Sequence, residues 1–166
     1  FCFNSKLKSI EIPANVTYIG NHAFGSCDYL ETVTFPMNSK LTHIGNNAFV
    51  CLSITSIKLP ETLETIGQSA FSWNLNLQSI EIPKNITSIE DQTFMGCYNL
   101  EDINFPESLK SIGISAFSNC NSLKKAEIPD SVEYIGDHAF YECLSLTSMK
   151  LPKNLIRIQD QTFDNC

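Results

Sequence analysis

The side chains best equipped for chemistry in this 166-residue chain are seven cysteines and three histidines. A zinc site would need them in paired C-x-x-C or histidine spacing, and the cysteines at 2, 27, 51, 97, 120, 143 and 166 form no such pair. The histidines, His22, His43 and His138, are far apart in sequence. Neighbouring acids such as Glu90-Asp91 and Glu101-Asp102 read most simply as solvated turn or strand positions. No G-x-S-x-G, phosphate loop, H-E-x-x-H or dinucleotide fingerprint occurs. The expectation is therefore a non-enzymatic chain with no catalytic residues, no metal and no cofactor. The cysteines also invite a disulfide framework, which depends on where the fold puts them.

Composition narrows the classes further. Apolar residues make up 43% and charged residues only 17%, which disfavours disorder. Eighteen acids against eleven bases leave a net charge of −7, wrong for wrapping nucleic acid. No apolar run reaches the length of a membrane-crossing helix, so direct membrane insertion is not expected. The chain has no start methionine, no basic-then-apolar leader and no lipidation signal, and reads as a piece of something longer.

What positions these residues is a repeat. The prolines stand at 13, 36, 60, 83, 106, 129 and 152, so six intervals separate them, one of 24 residues and the rest of 23. Isoleucine follows most of them in one column (Ile19, Ile66, Ile89, Ile112, Ile135, Ile158) and phenylalanine in another (Phe24, Phe71, Phe94, Phe117, Phe140, Phe163). Cysteine forms a third (Cys27, Cys97, Cys120, Cys143, Cys166), and a leucine and a short apolar alternation such as Ile80-Glu81-Ile82 lead into the next proline. The second unit gains two residues near Ser39 and Lys40 and loses one after Phe49, which leaves Cys51 one place off the column. The third unit has Asn74 where cysteine is expected. The chain opens at a consensus phenylalanine, Phe1, and closes at Cys166, so both ends cut through units; Cys2 lies off the column and is expected at the exposed, truncated end.

A period of 23 residues with an L-x-x-L-x-L core falls in the leucine-rich-repeat range. Residues 1–166 are expected to form a single array segment with partial units at both ends. The expected fold is a β-rich leucine-rich-repeat solenoid of about seven 23-residue units. Each should give one short parallel strand, such as Leu77 to Ile82, and a tight helical or 3₁₀ turn, such as Gly20 to Phe24. At a strand spacing of about 4.8 Å, His22 and His138 are then roughly 24 Å apart and cannot share a metal. The phenylalanine, isoleucine and leucine columns form the core, because each unit must be covered by its neighbours.

Two polar columns need separate readings. Two residues after each proline stand Asn15, Asn38, Thr62, Asn85, Ser108, Ser131 and Asn154. All are small hydrogen-bonding residues, suited to satisfy backbone groups where the chain turns, and a structural turn ladder is expected. Asn15-Val16-Thr17 and Asn85-Ile86-Thr87 are also glycosylation sequons, although a glycan at Asn15 or Asn85 would displace a ladder amide. The other column is Cys27, Cys51, Cys97, Cys120, Cys143 and Cys166. Stacked equivalents lie close enough for a disulfide, yet their Cα–Cβ vectors run parallel. Buried thiols packing as small hydrophobes are expected instead.

Strand residues alternate between core and solvent. The outward columns read Lys8, Glu31, Thr55, Gln78, Glu101, Lys124, Thr147; then Ser9, Thr32, Ser56, Ser79, Asp102, Lys125, Ser148; then Glu11, Thr34, Lys58, Glu81, Asn104, Glu127, Lys150. This continuous polar face is the candidate for partner binding, the last column above all, and a well-solvated sheet face is the plainer alternative. Exposed aromatics are expected at turns, with Trp73 the best single anchor.

At this point the units resemble a known family. Gly20-Asn21-His22-Ala23-Phe24-Gly25-Ser26-Cys27, Gly113 to Cys120 and Gly136 to Cys143 are similar to the BspA-like, or Treponema-type, leucine-rich repeat. Units four and seven depart together: glycine becomes Glu90 or Gln159 where alanine becomes Thr93 or Thr162. The resemblance implies cell-surface or secreted proteins of bacteria and parasitic protists that attach to host matrix proteins or cells. Two alternatives remain open. The array could be a structural segment that self-associates end to end. It could also be a cytoplasmic interaction scaffold, which unpaired thiols would suit.

Overall fold

A computed structural model describes residues 4 and 6–166; Phe1 and Cys2 lie outside the described residues. The chain winds as a β-solenoid with two strands in most turns. The first strand face holds β1 (Ser9–Glu11), β3 (Thr32–Thr34), β5 (Ser56–Ile57), β7 (Ser79–Glu81), β9 (Asp102–Asn104), β11 (Lys125–Glu127) and β13 (Ser148–Lys150). The second holds β2 (Tyr18–Ile19), β4 (His43–Ile44), β6 (Thr65–Ile66), β8 (Ser88–Ile89), β10 (Ser111–Ile112) and β12 (Tyr134–Ile135). Every pairing is parallel and in repeat register, for example Ile10↔Val33 and Ile80↔Ile103 on the first face and Ile44↔Ile66 on the second. The second strand was not expected. It has one inward isoleucine per unit and no alternation of its own, so no period-2 signal announces it.

The helical or 3₁₀ turn is also corrected: no helix occurs among the described residues. Residues 20–27 form two tight turns, closed by Ala23 N–H to Gly20 O (3.2 Å) and Cys27 N–H to Phe24 O (3.2 Å). The third residue of each is left-handed, His22 and Ser26 both at φ 55°, where a type II turn needs positive φ. A 3₁₀ helix cannot pass through such residues. The pattern recurs in every unit: His22, Asn47, Ser69, Gln92, Ser115, His138 and Gln161 form one left-handed column. Ser26, Cys51, Trp73, Gly96, Asn119, Glu142 and Asn165 form the other. Thirteen of the fourteen are not glycine, and each such residue costs about 1 kcal/mol or more. The return is a third set of inter-unit bonds. His22, Phe24 and Ser26 donate their N–H groups to Asn46, Ala48 and Val50 of the next unit at 2.8–2.9 Å.

One core cluster runs the length of the solenoid. Its spine is Phe24, Phe49, Phe71, Phe94, Phe117, Phe140 and Phe163, whose successive ring centroids are 5.3–5.7 Å apart with planes within 15°. The ladders on both faces are divided into shorter sheets. On the second face the division falls between β6 and β8, at the junction that leads to Glu90.

Candidate binding face and the columns behind it

The thiol column is a hydrogen-bonded ladder. Cys97, Cys120, Cys143 and Cys166 each direct Sγ to the phenylalanine carbonyl of the preceding unit, Phe71, Phe94, Phe117 and Phe140, at 3.1–3.3 Å. Burial pushes the Cys97 and Cys143 thiols up to about 12 and the Cys120 thiol well above its usual value. Such groups stay protonated and are poor nucleophiles. Among the described residues, Cys51, Cys97, Cys120, Cys143 and Cys166 are free thiols.

Two members depart from this picture. Cys51 is not in the column: it is half-buried, its φ is 57°, and it matches Ser26 and Trp73 in the turn. The buried column position of that unit belongs to Leu52, three residues after Phe49 as Cys27 is after Phe24. The lost residue therefore falls after the column, between Leu52 and Ile54, and does not shift Cys51 into it. The next unit compensates. Asn74, fully buried, donates Nδ2 to Phe49 O (2.8 Å) and to Phe71 O (2.7 Å), and its Oδ1 accepts the Leu52 N–H at 3.1 Å. One amide thus performs the thiol's bond to the preceding phenylalanine and also takes the N–H that the shortened unit leaves over.

The turn ladder is narrower than the sequence suggested. Thr62, Asn85 and Ser108 donate to carbonyls of the preceding unit: Leu41 (2.6 Å), Glu61 (2.9 Å) and Ile86 (2.8 Å). Asn15 instead accepts from Lys40 Nζ at 3.1 Å, and the buried Ser131 Oγ has no partner. Asn38 is exposed beside the two-residue insertion and makes no such bond. At Asn154 the link is taken over by Asp130, which accepts the Lys153 N–H at 3.1 Å and pairs with Lys153 Nζ at 3.0 Å. Of the two sequon amides, the one at Asn85 is engaged in the ladder.

A different column of Asn and Asp acceptors escaped the sequence reading. Asn21, Asn46 and Asp91 use Oδ1 to accept the N–H of Asn46, Gln68 and Ile114 in the next unit at 2.8–3.0 Å. Each is matched by a glycine one unit on. A Cβ on Gly45, Gly67 or Gly113 would stand 2.5–2.6 Å from that Oδ1 and 2.6–2.7 Å from a backbone nitrogen. The Ile-Gly-Asn triplets at 19–21 and 44–46 were the available signal, while Asp91 stands in Ile-Glu-Asp and carried none.

The candidate face is fully presented. Glu11, Thr34, Lys58, Glu81, Asn104, Glu127 and Lys150 are all exposed. Register pairs Glu11 with Thr34, Glu81 with Asn104 and Glu127 with Lys150. A shallow hollow of about 490 Å³ over β5, β7 and β9 is bordered by Lys58, Glu81 and Asn104. The exposed pair Lys124–Glu101, at 2.6 Å, lies along one margin and contributes little to stability. Trp73 is 37% exposed, but its ring covers Gly96, where a Cβ would come within 2.6 Å, and meets Tyr98 edge-on at 6.0 Å. It is committed to local packing. The histidines do not converge: His43 bonds to Thr42 Oγ1 (2.7 Å), while His138 stands 5.6 Å from Tyr141.

Comparison with known proteins agrees with this architecture. No match is found among curated proteins. Among solved structures, a leucine-rich-repeat protein of T. pallidum is 28% identical with a TM-score of 0.74, over 97% of this chain and 66% of that one. A leucine-rich-repeat protein of Bacteroides ovatus is 29% identical with a TM-score of 0.64, over 97% of this chain and 53% of that one. A leucine-rich cell surface protein of Faecalibacterium prausnitzii is 25% identical with a TM-score of 0.51, over 98% and 58%. The chain thus spans about half to two thirds of the length of these proteins. The profile described as BspA type leucine-rich repeat region matches residues 1–91 and 42–166 in six copies. With a period, register and turn that repeat through the whole array, the chain belongs to the BspA-type leucine-rich-repeat family.

Proposed function

We propose that this array is a non-enzymatic protein-binding module that engages its partner along the first strand face. The observation that carries this reading is the column from Glu11 to Lys150, exposed at every unit and paired within the three sheets beneath it, Glu11 with Thr34, Glu81 with Asn104 and Glu127 with Lys150. A rigid parallel ladder presents these groups at a fixed spacing of about 4.8 Å. Weak contacts on such a face act together, so their effect multiplies along the array. The adhesive, surface-located role is the finer reading, and it is supported by the surface description of the F. prausnitzii protein that this chain resembles. The partner would be a host matrix or cell-surface protein.

The test is attachment of beads carrying the array to cells and to matrix-coated surfaces. The variant replaces Lys58, Glu81, Asn104 and Glu127 with alanine. Attachment lost in the variant is expected; attachment unchanged would remove this face from the reading. A second reading has its own support. Cys51, Cys97, Cys120, Cys143 and Cys166 are free thiols, which suits a reducing interior and a cytoplasmic scaffold. Counting thiols by intact mass in protein from its native source separates the two, since disulfides or hexose mass would exclude the interior.

A further inference from the structure

The second strand face carries a charge that its fold does not use. Unit four places Glu90 and unit seven places Gln159 where Gly45, Gly67, Gly113 and Gly136 stand in other units. Thr93 and Thr162 support the two in the same way, each donating Oγ1 to the carbonyl three residues back at 2.8 Å. Gln159 shows that this turn needs no charge. Glu90 is half-buried and accepts a hydrogen bond from Ser88 Oγ. It takes part in none of the three ion pairs found among the described residues. A partly desolvated carboxylate without a counter-ion is an unfavourable group to keep for structure alone.

Glu90 closes one end of a shallow trough of about 440 Å³. His43 and Thr65 form one wall, Asn46 and Gln68 the other, and Gly67 lies between them. Asn46 is exposed, and with its Oδ1 committed to the Gln68 N–H at 3.0 Å its Nδ2 is left to donate, suited to a carbonyl acceptor. The way from His43 to Glu90 crosses two unit spacings of about 4.8 Å, the span of roughly three extended residues.

We propose that this trough is a second binding site that takes an extended peptide segment carrying an arginine or lysine, with the cationic head group on Glu90 and a peptide carbonyl on the Asn46 amide. It lies on the other strand face from the one proposed above and does not depend on it. Arginine fits better than lysine, since its planar fork can engage both carboxylate oxygens.

The test is a titration of ¹⁵N-labelled protein with acetyl-Ala-Arg-Ala-amide, with the same peptide carrying glutamine, and with guanidinium chloride. The arginine peptide is expected to shift the amides of Gly67, Gln68 and Glu90. Binding should fall about tenfold in the glutamine peptide and about tenfold in Glu90→Gln, as for loss of one charge-assisted pair. Glu90→Gln copies the residue at 159, and an unchanged unfolding midpoint will show that the variant is folded. Shifts confined to the first strand face, no shifts at all, or equal binding by Glu90→Gln would overturn the proposal. Guanidinium alone giving the same shifts at the same concentration would overturn its peptide part.

Discussion

The thiol column and the glycine column are both broken by polar replacements, and they respond in opposite ways. Asn74 enters the thiol column and adds bonds: the phenylalanine stack continues beside it, with Phe49 and Phe71 5.5 Å apart. Glu90 enters the glycine column and removes one. Gly45, Gly67, Gly113 and Gly136 donate their N–H to the isoleucine carbonyl of the preceding unit at 2.8–2.9 Å. Glu90 and Gln159 make no such bond, and the second ladder stops between β6 and β8. In the first column a side chain meets a carbonyl, and any donor of the right reach can serve. In the second, backbone meets backbone, and a Cβ at 2.6–2.7 Å from a nitrogen forces the units apart. A repeat protein of this kind tolerates a new group where side chains make the contact and opens where they do not.

The sharpest way to break the comparison is alkali. Cys97 and Cys143 have folded values near 12 against 9.0 for the free thiol. Below 9 both states hold the proton and these groups give no pH dependence. Between 9 and 12 the unfolded chain loses protons that the folded chain keeps, so stability falls as pH rises. The expected slope is about 1.4 kcal/mol per pH unit for each thiol. Urea unfolding at a series of alkaline pH values measures it, and a flat profile would mean that the column is not dry.

Replacing Asn74 by leucine comes next. Nothing then pairs with Leu52 N–H or Phe49 O inside the core, and a loss of about 3–5 kcal/mol is expected from two or more orphaned groups. Asn74→Cys should cost less, because a thiol restores the bond to Phe49 O but not the one to Leu52. Urea midpoints rank the three proteins.

Gly113→Ala places a methyl 2.6 Å from Asp91 N and should cost about 2 kcal/mol, within the range for overpacking. The same substitution at Gly20, where among the described residues the nearest atom to a Cβ is on Tyr18 at 3.8 Å, should be close to neutral. Thermal unfolding of both variants checks the contrast. The smallest effect runs the other way. Glu90→Gly combined with Thr93→Ala restores the common turn, and closing one backbone bond should add about 1 kcal/mol or less.

Much of this was legible from residue spacing. The phased prolines, phenylalanines and isoleucines fixed the unit, the parallel stacking and the first strand face, because each column is a chemical constraint repeated at one period. The second strand was not legible, since two residues with a single inward isoleucine carry no alternation. The left-handed turns were hidden by their composition: His22, Ser69 and Gln92 sit where glycine or asparagine would have given a signal. The misplacement of Cys51 came from setting the lost residue between Phe49 and Cys51, whereas it falls between Leu52 and Ile54. Counting from Phe49 gives Leu52. Asn74 looked like a gap in a column, and only its three bonds show why an amide stands there. The binding face was legible as a pattern of exposure, but its use depends on a partner whose shape is written elsewhere.

Amide hydrogen exchange followed by NMR tests the central contrast in the unaltered protein. Slow exchange is expected at Gly45, Gly67, Gly113 and Gly136, whose N–H groups are in the ladder, and at Leu52, whose N–H is held by Asn74. Fast exchange is expected at Glu90 and Gln159. Protection at Glu90 equal to that at Gly113, or rapid exchange at Leu52, would contradict it.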